Sequence, residues 1–334
     1  MRILAAVTAF AALGFAQSDA QFETSSFLRH SAYRNVARLN PESATDGAYG
    51  PVNRAWDETH DGKWYIEEQR YGADVVAGGI ATRDTAAIDR GLNILNWGFA
   101  QQASDGGFRC PDAFHSTSFF VEAVAHSLLL LEASEFASQY RQTVDRMKPK
   151  LAAAAAWMPR AENETPGREH NKPYTHRRYL VGAALGEAGV LLDDRALIAH
   201  SAAYIKDGLK QQDASGFNPE KGGYDSSYHA VGMLFAERYY TLVADDLLRP
   251  ALHKMLERAA RWEASRVLAN GEVSTEGNSR VGGAQTEKGR SGKEKTVAYG
   301  LVYRAFFYWA VISGDKSYSD LAKKVAVFAK QWRD

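Results

Sequence analysis

The chain has 334 residues, more than most single domains carry, and 45% of them are hydrophobic and 11% aromatic. Lys plus Arg number 40 and Asp plus Glu number 40, so the formal net charge is zero. That excludes a global field for nucleic acid or a membrane surface, and any polyanionic ligand must be drawn by a local cluster. The one cysteine, Cys110, excludes an intramolecular disulfide.

At the N-terminus, Arg2 precedes an apolar run from Ile3 to Phe15. Small-residue patterns follow at Gly14-Phe15-Ala16 and Ser18-Asp19-Ala20. This predicts a signal peptide over residues 1–20, with 21–334 as a single domain. The run is too short to span a bilayer, and no later stretch reads as free of charge for long enough to do so. Export without disulfides points to a secreted or periplasmic bacterial protein.

Beyond that, helical periodicity dominates and strand alternation is scarce. The predicted helices come in pairs: Trp64–Ala81 with Thr85–Ala100, Ser116–Ala133 with Tyr140–Trp157, and Thr175–Leu192 with Arg195–Leu209. Two more follow, Ser227–Val243 with Leu247–Val267 and Lys293–Ile312 with Tyr318–Trp332. First members such as "YLVGAALGEAGVLL" are apolar nearly all round, as expected of helices buried on both sides. Second members such as "PALHKMLERAARWEASRV" carry more charge. The contrast predicts an inner ring of helices enclosed by an outer one.

The loops repeat as well. Gln101-Gln102 runs through Gly106-Gly107-Phe108 to Phe114-His115-Ser116. Gln211-Gln212 runs through Gly216-Phe217 and Gly222-Gly223-Tyr224 to Tyr228-His229. A looser copy spans Asn270-Gly271, Gly277-Asn278 and Gly282-Gly283. Inner helices start near 116, 175, 227 and 293, roughly 50–65 residues apart. The fold class expected is all-α, an incomplete (α/α) toroid of five or six helical hairpins, with an open bundle of helical repeats as the alternative.

A repeat of this kind gathers the loops that lead into inner helices on one face. Those loops hold the notable polar residues. Arg168 to Tyr179 contains two His (His170, His176), Asn171, two Tyr and four cations. Thr175 is a plausible N-cap that puts His176 in the first turn. Arg177 and Arg178 then sit at the positive end of a helix dipole, which calls for an anion to offset them. Gly222 to His229 brings Tyr224, Asp225, Tyr228 and His229. His115 occupies the corresponding place one repeat earlier. Asn278-Ser279-Arg280, with Gln285, Arg290 and Lys293, forms a fourth group. Each also has a plain alternative: His176 as a satisfied loop histidine, Tyr228 and His229 as core packing.

Two chemistries compete for this inventory. β-Elimination from a uronate polymer needs a donor to neutralise the C6 carboxylate, a base for the C5 proton and an acid for O4. Asn, His, Tyr and Arg meet those needs without a cofactor or metal. Glycoside hydrolysis needs two carboxylates, roughly 5–5.5 Å apart for retention or 6.5–9.5 Å for inversion. Asp105, Asp112, Glu169, Asp225, Glu67 and Glu68 are the candidates, with Asp112 and Asp225 in corresponding loops. The loops are richer in His, Tyr and Arg than in acids, which favours elimination. No HExxH, CxxC, P-loop or GxSxG motif is present. The histidines 115, 170, 176 and 229 show no i, i+4 pair of the kind zinc sites use.

The order of parts resembles the toroid-type polysaccharide lyases that cleave alginate or glucuronan. It is a polar residue at one inner-helix start, His-Asn near the next, then Tyr in a Gly-Tyr-Asp-x-x-Tyr stretch. The chain is most similar to the small (α/α)-barrel glucuronan and mannuronate lyases such as polysaccharide lyase family 38. The likeness covers most of residues 60–330 in architecture and is specific only in short segments. It implies a lyase in which Asn171 or His115 neutralises the carboxylate. His176 would be the base, with His170 its rival, and Tyr228 the acid, with Tyr224 its rival. Arg178 and Arg280 would hold substrate carboxylates, with Tyr224, His170 and His229 also in the binding set. The chain departs from the pattern in having His115 where an Asn is common. The expected partner is an anionic polysaccharide bound by a monomer, with no nucleic acid and no membrane. A non-catalytic glycan-binding protein is the remaining alternative.

Overall fold

The computed structural model describes residues 65–282, 286–289 and 292–333, together with Thr24. The predicted signal peptide, residues 1–20, therefore lies outside the described residues, as do Gln285 and Arg290. Among the described residues there are helices, turns and isolated bridges, and no named strand.

A 3₁₀ turn, Ile66–Arg70, leads into α1 (Tyr71–Thr82), which pairs with α2 (Thr85–Ala100). Then come α3 (Ala113–Ala133) with α4 (Ala137–Trp157), a short α5 (Ala161–Asn171), and α6 (Thr175–Leu192) with α7 (Arg195–Gln211). The last hairpins are α8 (Ser226–Leu242) with α9 (Arg249–Ser265) and α10 (Tyr299–Ser313) with α11 (Lys316–Arg333). The first members stand side by side in chain order, α1 against α3, α3 against α6, α6 against α8 and α8 against α10. Arg304 of α10 donates to Asp74 of α1 at 2.8 Å, tying the last hairpin to the first.

Burial follows the sequence pattern. α6 is buried along nearly its whole length from Tyr179 to Gly189. α4 buries one stripe only, Tyr140, Val144, Met147, Leu151 and Ala154–Ala155, the spacing of a single helical face. One correction concerns α3. It is long and apolar enough to cross a membrane by composition, yet 94% of that stretch is buried inside the protein, so it is a core helix.

Two local devices recur and explain why the chain turns where it does. At the short corners a left-handed residue precedes an Asp: Arg83-Asp84, Asp193-Asp194 and Gly314-Asp315. Asp84 accepts from Ala87 N–H, and Asp194 from the N–H groups of Ala196 and Leu197, satisfying donors that the helix start leaves open. The second device is the Gln-to-Gly loop. Gly106, Gly216 and Gly271 have φ of 95°, 111° and 91°. Each N–H closes a turn onto the residue three before it, Ala103, Asp213 and Leu268. Gln102 and Gln212 each donate to the glycine carbonyl of their own loop and to a carbonyl of the next outer helix, Lys150 and Met255, all at 2.9 Å. The repeat is therefore physical: the loops after Gln102 and Gln212 are each clamped to the following hairpin.

Two predicted elements differ. The stretch from Arg168 to Asn171 closes α5 rather than lying in a loop, and that helix is mostly exposed. The first member of the last hairpin starts at Tyr299, six residues after the expected Lys293, because Lys293 to Ala298 is not helical; Lys295, Thr296 and Ala298 line the cavity described below instead.

Candidate functional site

The first members of all five hairpins, together with the loop after α9, enclose a cavity of about 520 Å³. His115 of α3, His176 and Arg177 of α6, Tyr228 of α8 and Arg280 of the loop all line it. Seven lining residues are cationic (Arg70, Arg177, Arg238, Arg280, Arg304, Lys288, Lys295) and four are acidic (Glu67, Glu68, Asp74, Glu122). On a chain of zero net charge this is a local excess of positive charge, of the kind that draws an anion.

His176 of α6 and Tyr228 of α8 lie on neighbouring helices with ring centroids 4.9 Å apart. His176 sits in the first turn of α6, where its backbone N–H has no helical partner. Glu220 supplies one: Oε1 accepts from the His176 N–H at 2.9 Å and from Nδ1 at 2.8 Å. With Nδ1 as donor to Glu220, Nε2 is the nitrogen left to act as a base. Burial lowers the His176 pKa most. Glu220 raises it, while Arg280 and Arg177 add to the lowering. The net direction keeps the imidazole neutral, and so able to take a proton, at neutral pH.

Tyr228 is held by two cations. The Arg280 guanidinium lies 3.5 Å from its ring centroid, a favourable stacking geometry. Lys295 Nζ donates to its hydroxyl oxygen at 2.9 Å, which leaves the phenolic proton available to another acceptor. Glu287 gathers these cations. It accepts from Arg280 Nε at 3.2 Å and Nη2 at 3.1 Å, from Lys295 at 2.6 Å, and from Lys221. Burial pushes the Glu287 carboxyl up, but those hydrogen bonds outweigh it and hold the group well below the usual carboxylate range. Arg280 Nη1 also donates to Glu220 Oε2 at 3.3 Å, closing a ring of charges around the Tyr228–His176 pair.

The other candidates lie elsewhere. Asn171 is buried behind the wall, where Oδ1 accepts from Arg177 Nη1 at 2.7 Å. It positions Arg177, and Arg177 is the group that reaches the cavity. His170 is half exposed and pairs with Asp112 at 3.2 Å beside a separate cleft near Trp157. Arg178 points outward to Asp207 at 2.7 Å and to the carbonyls of Lys172 and Tyr174. The anions expected to offset Arg177 and Arg178 are thus Asp112 and Asp207. Tyr224 packs on Phe217 and Trp262 and donates to the Glu276 carbonyl. His229 is fully buried, accepting from Asn218 N–H at 3.0 Å and donating to the Ala259 carbonyl at 3.1 Å. None of these five lines the cavity.

Asp112 and Asp225, the acids in corresponding loops, do not line it either. Asp225 is a cap, accepting from the N–H groups of Tyr228, Arg280 and Val281. Glu67 and Glu68 do line it, and Glu67 accepts from Ser116 at 3.1 Å. Sequence spacing missed Glu220, Glu287 and Lys295. The signal available was their place in the Gly-rich loops that precede inner helices.

Two measurements follow from these titrations. Glu220→Gln removes the influence that raises the His176 pKa, so the His176 titration followed by NMR is expected to move to lower pH. A titration that stays in place would show that Glu220 does not tune the imidazole. For His229, burial depresses the folded pKa from 6.5 to about 4. Between those values the unfolded chain binds more protons, so stability is complete above about pH 6.5 and is lost as pH falls towards 4. The full effect is roughly 3 kcal/mol. Melting curves of His229→Gln are expected to fall less than wild type between pH 7 and pH 4.5. Equal slopes would exclude His229 as the group responsible.

No protein-family model matches the chain, and no curated protein matches it. The chemistry of the cavity therefore carries the functional reading.

Proposed function

We propose that the chain is an (α/α)-toroid polysaccharide lyase that cleaves a uronate polymer, of the alginate or glucuronan type, by β-elimination. The toroid reading is supported by five hairpins whose first members share one cavity and by the Asp74–Arg304 tie between its ends. The observation that carries the activity is the His176–Tyr228 pair, 4.9 Å apart and oriented by Glu220, Arg280 and Lys295 in a cation-rich cavity.

In this mechanism Arg177 and Arg280, with His115 from the same cavity lining, hold the C6 carboxylate and reduce its charge. That makes the C5 proton more acidic. His176 Nε2 takes the C5 proton, the C4–O4 bond breaks, and a C4=C5 double bond forms. Tyr228 gives its phenolic proton to O4, so the chain end leaves as an alcohol. Lys295 and Arg280 stabilise the phenolate that remains, and the proton on His176 returns through water. Asn171 serves by positioning Arg177. The same reading places the protein outside the cytoplasm, as a monomer acting on an anionic polysaccharide.

The test is ultraviolet absorbance of the unsaturated product on a panel of alginate, glucuronan and hyaluronan. New absorbance on one or more polymers is expected. Reducing ends without absorbance would overturn the elimination and favour hydrolysis by Glu67 and Glu68, the two of the hydrolase candidates that line the cavity. Oligosaccharide retained unchanged would favour a glycan-binding protein.

A further inference from the structure

Below the cavity, three side chains meet that the elimination does not use. Glu122 and His126 stand one turn apart on α3, and Glu187 faces them from α6. One ligand atom from each lies within 4.8 Å of the other two. All three residues are buried, with exposures of 3%, 1% and 0%. Bonds of about 2.0–2.2 Å to a common ion place its ligand atoms roughly 3–4.4 Å apart. The 3.1 Å between His126 Nδ1 and Glu187 Oε2 suits two adjacent positions around such an ion.

The described hydrogen bonds give only one of the two carboxylates a permanently charged partner. Arg238 donates to Glu122 at 2.5 Å and offsets that carboxylate. It also orients Glu122, as outer partners orient metal ligands. Glu187 has the imidazole of His126 on Oε2, while Oε1 is buried with no hydrogen-bond partner among the described residues. A buried acceptor left open is costly, and an ion at the centre of the triad supplies what it lacks. Glu122 and Arg238 line the cavity floor, which offers the ion a route in and a water as fourth ligand.

We propose that Glu122, His126 and Glu187 form a site for one first-row divalent cation of the zinc or manganese class. One imidazole with two carboxylates suits those ions, whereas calcium takes 6–8 oxygens. The ion ties α3 to α6 beneath the site, and it does not depend on the lyase reading.

The test begins with elemental analysis of the full-length protein purified without a metal-affinity step. About one equivalent of zinc or manganese per chain is expected. After removal with a chelator, adding back Zn²⁺ or Mn²⁺ is expected to raise the melting temperature by several degrees. Co²⁺ is expected to give visible absorption bands. Glu187→Gln keeps the shape and the contact with His126, and is expected to lose the equivalent, the shift and the bands. Two results would overturn the proposal. One is wild-type protein that holds no metal and whose melting is indifferent to both ions, which means His126 and Glu187 share only a proton. The other is a Glu187→Gln variant that binds as wild type does, which places the metal elsewhere. Activity on the uronate panel is read separately, so failure of the metal site leaves the elimination untouched.

Discussion

Replacing Tyr228 with Phe is expected to lower kcat on the best uronate substrate by about 10²–10⁴-fold, the range for one proton-transfer group. Substrate affinity is expected to stay close to wild type. The ring remains, so Arg280 keeps the surface it stacks on at 3.5 Å. Lys295 loses the phenolic oxygen but keeps Glu287 at 2.6 Å, so the cation stays in place. What disappears is the proton that O4 needs and the oxygen that carries the resulting charge. Steady-state kinetics with a separate binding measurement separates the two effects. Turnover within about threefold of wild type would make Tyr228 a wall of the cavity and remove the acid from the mechanism.

The largest expected effect on the fold comes from Gly106→Ala. At φ 95° an L side chain is strained, and a Cβ there would sit 2.3 Å from the Ala153 carbonyl oxygen of α4. That oxygen belongs to a helix backbone and cannot swing aside as a side chain can. Strain and overpacking together are expected to cost about 3 kcal/mol or more, a fall in melting temperature on the order of 5–10 °C. Gly314→Ala is the control. Its φ of 74° carries similar strain, but nothing lies within 4 Å of the added carbon. It is expected to cost only about 1–2 kcal/mol. Equal losses in the two variants would show that the clamp between a loop and the next hairpin contributes little.

Much of the architecture was legible because it is written locally. Thr85–Ala100 and Thr175–Leu192 begin and end where periodicity puts them; Asp84 caps the start of the first and the left-handed Asp193 ends the second. The helix Ala161–Asn171 was not legible. Only Gly167 and Asn171 are buried in it, so it has no apolar stripe to detect. His115, His176 and Tyr228 stood out because equivalent hairpins present equivalent corners. Their neighbours misled for a geometric reason: successive residues on a helix point about 100° apart. Arg177 therefore faces the cavity while Arg178 faces Asp207, and Tyr228 faces it while His229 is buried against Ala259.

By itself, the amino-acid order determined the helices, their pairing and the loop glycines, because those depend on contacts a few residues long. Only the tertiary structure decided which polar groups act together. Glu220 reaches His176 across 44 residues and Lys295 reaches Tyr228 across 67. Such meetings are set by how loops drape over the assembled helices, and no local propensity encodes them.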